Sequence, residues 1–129
     1  MDDAFRQTFQ KQVTINVPDR SFGGNAALPV PSGKRAVIEH VSASGIDQGG
    51  HFLRYAVLTV KVENNVWNQV QHFLVSQRQE DTLGFFNASQ PLRAYSDPGT
   101  TIVVEVQRAQ NTGTASVGFT VSGYYVAPQ

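Results

Sequence analysis

Phe52-Leu53-Arg54-Tyr55-Ala56-Val57-Leu58-Thr59-Val60-Lys61-Val62-Glu63, then Asn64-Asn65, then the run from Val66 to Val75, is the stretch that decides the fold. Side chains alternate faces along a strand, and both arms are rich in β-branched and aromatic residues, so both are predicted strands. Asn64-Asn65 tolerates positive φ and predicts a hairpin between them. In the first arm Phe52, Ala56, Leu58, Val60 and Val62 share one parity, while Leu53, Tyr55 and Val57 share the other. In the return arm Trp67, Phe73 and Val75 oppose Val66, Val70 and Leu74. Apolar residues on both parities call for cover on both faces, by a loop or a neighbouring subunit.

Working outward, Val13, Ile15 and Val17 alternate with polar residues and predict a half-buried strand. A long loop is expected from Pro18 to Gly33, where Pro31 and Gly33 form a tight turn. Lys34 to Ala43 follows as a strand covered on both sides, since Ala36, Val37, Ile38, Val41 and Ala43 favour neither parity. Ser76 to Asp81 is polar and predicts a loop or one helical turn. Thr82–Phe86 and Gln90–Tyr95 are two short strands split by Asn87-Ala88-Ser89. Asp97-Pro98-Gly99 is a turn in which Pro98 presets φ and Gly99 supplies φ > 0. Thr100–Arg108 alternates Ile102, Val104 and Val106 with polar partners, and Gln110-Asn111-Thr112-Gly113 is expected to close a hairpin. The last strand, Ala115–Val126, places Val117, Phe119, Val121 and Tyr125 on one face. Seven or eight strands without a helical crossover predict a single antiparallel β-sandwich, jelly-roll-like, over residues 1–129, with 1–10 as a flexible segment.

Composition narrows the function. The 129 residues include 10 basic and 10 acidic side chains, no cysteine and 16% charged residues. This excludes a disulfide scaffold, a thiolate metal site and a cysteine nucleophile. Zero net charge gives no field for a nucleic-acid backbone. No run of apolar residues is long enough for a membrane span. Only Lys11, Lys34 and Lys61 are lysines, while glutamine fills 12 positions, so amides and hydroxyls solvate the surface. Such a surface favours export, to the periplasm or beyond. Met1-Asp2-Asp3-Ala4-Phe5 is not a signal peptide, and a mature chain starting at Asp2, with Met1 added for expression, reconciles the two.

Chemistry-bearing residues are scattered. His40, His51 and His72 stand singly, so a metal site would have to assemble them from distant strands. Glu39 and His40 point to opposite faces. The serines lack a nucleophile elbow. Glu39, Glu63, Glu105 and Asp97 read as solvent-facing, and Asp47-Gln48-Gly49-Gly50 lacks the acidic spacing of a calcium loop. Asn87-Ala88-Ser89 matches a glycosylation sequon. Trp67, Tyr55, Tyr95 and Tyr124 are amphipathic rings that can stack on sugars or fill a partner's pocket.

Val30-Pro31-Ser32-Gly33-Lys34-Arg35 with Val37 to Ser42, Leu92 to Thr100, and Ser122-Gly123-Tyr124-Tyr125-Val126 resemble segments of a group of short, functionally uncharacterised bacterial β-sandwich proteins. The resemblance covers about a quarter of the chain. It implies a small exported protein and carries over no activity or site residue. The last of these segments also resembles the final strand of tumour-necrosis-factor-like and complement-type jelly rolls, which assemble as trimers.

The leading expectation is a non-enzymatic binding or interaction module without a cofactor, with self-association covering an apolar face. One alternative is a carbohydrate-binding jelly roll using Trp67, Tyr55, Tyr95 and Tyr124. The other is a cupin-like metal-dependent enzyme using His40, His51 and His72. Candidate partners are a second copy, a carbohydrate or a protein.

Overall fold

The computed structural model describes residues 7–62, 67–73 and 75–127, with the side chains of 67–69, 71 and 72 outside the description. These residues form nine strands: β1 (Gln7–Val17), β2 (Gly23–Pro29), β3 (Arg35–Asp47), β4 (Leu53–Val62), β5 (Trp67–His72), β6 (Ser76–Glu80), β7 (Leu83–Ser96), β8 (Thr101–Arg108) and β9 (Ala115–Val126). One sheet has the order β1-β9-β3-β7-β6 and the other β2-β8-β4-β5, all antiparallel. β1 pairs β9, β2 pairs β8, β3 pairs β7 and β4 pairs β5, so the chain is one nested hairpin coiled until successive pairs fall in alternate sheets. This is a jelly-roll sandwich, with β6 added at one edge.

The hairpin of β4 and β5 runs from Val57 opposite His72 to Val62 opposite Trp67, while Asn64-Asn65 lies outside the described residues. The turn at Asp97 is also as expected, with the Thr100 N–H donating to the Asp97 carbonyl at 3.2 Å and φ of 74° at Gly99.

Several expectations are corrected. Gly23–Pro29 is a strand rather than loop, because a short alternation of small residues pairs edge-on with β8. Ser76–Glu80 is an exposed edge strand, whose polar sequence reflects water on one side and, on the other, the amides of Gln77 and Gln79 bonded to the Leu53 and Gly50 main chain. β7 is continuous through Asn87-Ala88-Ser89, since β3 pairs along it. Gln110 to Gly113 connects the two sheets instead of closing a hairpin, because β8 and β9 belong to different sheets. β3 carries a bulge between Ile38 and His40 that shifts its register against both neighbours. Ala36 and Ile38 therefore face inward before it, and Val41 and Ala43 after it. The mixed parity of β3 records this extra residue relative to β9, together with cover on both sides around Val37, which is 2% exposed although it sits on the outer parity opposite Tyr95 and Tyr124.

The core lies between the sheets. Leu58, Val60, Val104, Val106, Val117, Phe119 and Val121 are almost wholly buried, and each large apolar side chain so buried contributes about 1.5–3 kcal/mol. Phe73 packs on Phe119 with ring centres 6.3 Å apart. Phe73 thus belongs to the core, while Val70 is 49% exposed at the outer edge. Val75 packs against the core, and Val66 and Leu74 lie outside the described residues.

At one end of the sandwich the core closes over an ion pair. Arg108, 1% exposed, donates to Asp47 Oδ2 at 3.1 Å and to the carbonyls of Pro18, Ser21, Thr112 and Gly113. Asp47 Oδ1 accepts from the Gly49 N–H at 2.7 Å. Arg108 engages its five donors and each Asp47 oxygen accepts a hydrogen bond, the condition under which buried ions are tolerated. The pair ties the β1–β2, β3–β4 and β8–β9 connections together. Asp47 therefore serves as an anchor, and its carboxylate is engaged within the protein.

Candidate functional site: the outer groove of the five-stranded sheet

Pairing fixes which side chains share the solvent face of the five-stranded sheet. Across the strands, Asn16, Ser116, Ile46, Phe85 and Arg78 form one row, and Thr14, Gly118, Ser44, Asn87 and Ser76 form the next. These two rows line a groove of about 1140 Å³. All five strands contribute, so the groove crosses them at right angles, over a sheet about 19 Å wide between its outer strands.

Its loop wall is built from Pro18, Gln48 and Thr114. The Gln48 N–H donates to the Thr114 carbonyl at 2.8 Å, and the Arg108 cluster holds the flanking turns. At the other wall Gln77 clamps β6 to β4, accepting from the Leu53 N–H at 2.7 Å and donating to its carbonyl at 3.1 Å.

The groove holds amides, hydroxyls and an apolar strip of Ile46 and Phe85, with Arg78 as its one charged lining residue among the described residues. Arg78 lies 5.1 Å from the Phe85 ring centre and pairs with Glu80 at 3.4 Å. Ile46 is 37% exposed, an apolar contact surface in a polar row. Main-chain groups of the floor are already spent in the ladders. An extended peptide laid on it would find side chains but no unpaired backbone. Amides and hydroxyls both donate and accept, which suits a neutral ligand carrying many hydroxyls.

The residues proposed from sequence are dispersed. Tyr95, 38% exposed, and Tyr124 lie on this same face, both opposite Val37. They are six residues of β9 beyond Gly118, about 20 Å away, and outside the groove. Tyr55 is on the other sheet, where its hydroxyl donates to Glu105 at 2.7 Å. That hydrogen bond, then burial and the Glu105 charge, raise its pKa above the ordinary 10.0 against a lowering by Arg54. The side chain of Trp67 lies outside the described residues.

His40 is on the outer face, within 3.0 Å of Ser89 Oγ. His51 is at the loop end, 2.7 Å from Thr112 Oγ1. Seven residues of β3 separate His40 from Asp47 at that end, about 23 Å, so these two histidines do not meet. His72's side chain lies outside the described residues, among which no group of three His, Asp or Glu is placed to hold a metal.

The groove residues escaped the sequence reading because their types are ordinary for a solvated strand face. Only pairing across five strands gathers them.

A scan against protein-family models and a search of curated protein sequences return no match. Among solved structures, the chain is similar to the pre-peptidase C-terminal domain of a collagenase from Bacillus anthracis, with 13% identity, a TM-score of 0.47 and coverage of 87% of this chain and 88% of that one. No helix is long and apolar enough to cross a membrane among the described residues.

Proposed function

We propose that this chain is a non-enzymatic binding module whose groove takes a neutral oligosaccharide. The observation that carries this reading is the lining: one concave face that joins donors and acceptors without net acidity to an apolar strip of Ile46 and Phe85. Sugar hydroxyls pair with amides and hydroxyls, while the C–H face of a pyranose packs on apolar side chains. A nucleic acid would need several cations, and the groove offers Arg78.

The test is calorimetric titration with neutral hexasaccharides of the cello-, xylo-, manno-, laminari- and chito- series at low and high salt. At least one binds, with an affinity that salt barely changes. Asn16→Ala and Asn87→Ala each remove hydrogen bonds of about 1 kcal/mol and weaken binding about fivefold. Tyr95→Ala leaves it unchanged. Absence of binding across the series overturns the proposal.

A further inference from the structure

Glycine inside a strand weakens it, and it persists for a bulge, a bend, or the close approach of a ligand or another backbone. Six glycines occupy strands here: Gly23, Gly24, Gly45, Gly84, Gly118 and Gly123. Five have a steric reason. A Cβ at Gly23 would run into the Val106 carbonyl, at Gly24 would lie 2.8 Å from Ile15 Cγ2, at Gly45 2.5 Å from the Phe86 ring, at Gly84 2.6 Å from the His51 carbonyl, and at Gly123 would meet the Val37 carbonyl.

Gly118 has none. A Cβ there would find only the Ser44 carbonyl, at 4.0 Å, which is ordinary contact. Its φ is not in the left-handed region. Pairing runs unbroken through it, to Thr14 on one side and Ser44 on the other, so no bulge explains it. The space above it belongs to the groove, where Gly118 lies between Thr14 and Ser44 of the neighbouring strands.

We infer that Gly118 is a ligand-contact position: the oligosaccharide crosses the sheet directly over bare β9 backbone, one ring seated between Thr14 and Ser44. This rests on the oligosaccharide reading and adds where and how closely the chain passes. The missing side chain lowers the floor, and any larger residue raises it into the ligand. The position thereby sets which sugar can lie flat, because an axial substituent on the buried face would strike the strand.

The experiment compares wild type with Gly118→Ala, Gly118→Thr and Gly118→Tyr, each by thermal melting and by titration with whichever hexasaccharide the wild type binds. All three variants fold, and the threonine variant melts at or above the wild-type temperature, since the side chain enters open space and threonine suits a strand. Affinity falls in the order Ala, Thr, Tyr, with a loss of at least about tenfold for Tyr. If Gly118→Tyr binds as tightly as wild type, the inference is overturned and the oligosaccharide reading stands. If Gly118→Ala and Gly118→Thr both melt well below wild type, the glycine is structural and the inference is again overturned. A wild type that binds none of the hexasaccharides overturns both.

Discussion

Arg108 occupies the inward position after Ile102, Val104 and Val106, where alternation alone would place an apolar side chain. The fold accepts it because Asp47 reaches the matching inward position of β3 and four loop carbonyls take the remaining donors. Removing one partner leaves a desolvated charge without compensation. Asp47→Ala is expected to destabilise the protein by about 3–5 kcal/mol, measured by denaturant unfolding. A loss below about 1 kcal/mol would mean that the carbonyls alone satisfy Arg108. Tyr55 gives a prediction of opposite chemical sign. Its pKa is raised chiefly by the hydrogen bond to Glu105, so the folded state holds the phenol proton more tightly than the unfolded chain. Its contribution to stability is complete below pH 10.0, the unfolded value, and is lost as pH rises through the higher folded value. Tyr125, raised by burial, acts in the same direction. Tyr55→Phe should therefore show a shallower fall in melting temperature above that pH than wild type. Equal slopes would show that Tyr55 is not the group being titrated.

At the scale of the element, β3 shows how one extra residue changes the reading of thirteen. The bulge between Ile38 and His40 lets Ala36 and Ile38 face inward on one side and Val41, Ala43 and Asp47 on the other. Deleting Glu39 restores simple alternation and the register with β9 without moving either set to the wrong face, while β7, which already has one residue more than β3 between the partners of Ile38 and His40, is left with two more. The variant is expected to fold, and circular dichroism and thermal melting check this. Deleting Ser42 instead turns one half of the strand inside out and should abolish cooperative melting. If the Glu39 deletion unfolds the protein, the curvature given by the bulge is essential to the sheet. β6 makes a complementary point. Five polar residues with no apolar parity become a strand because β7 offers an unpaired edge, and the alternate amides of Gln77 and Gln79 bond the Leu53 and Gly50 main chain.

On the scale of the whole molecule, the groove exists because five strands present side chains that, Arg78 apart, are neutral in adjoining rows while the Arg108 cluster holds the loops at one wall. Its chemistry predicts neutral-hexasaccharide binding that salt barely alters, because a mostly uncharged interface has little Coulomb energy to screen. An affinity that collapses at high salt would shift the ligand class toward acidic polymers read by Arg78. The all-β class, the buried parity of β8 and β9 and the turn at Asp97-Pro98-Gly99 were decided by the sequence itself, since alternation and turn chemistry act between near neighbours. The inward place of Arg108 was also written in its parity, although its partner was not. Tertiary structure alone decided the sheet to which each strand belongs, the bulge in β3, the strand character of β2 and β6, and the gathering of Asn16, Ser44, Asn87 and Gly118 into one groove. Those outcomes depend on pairing between residues far apart in the chain, and a single strand's pattern records which face is apolar, not which strand lies beside it.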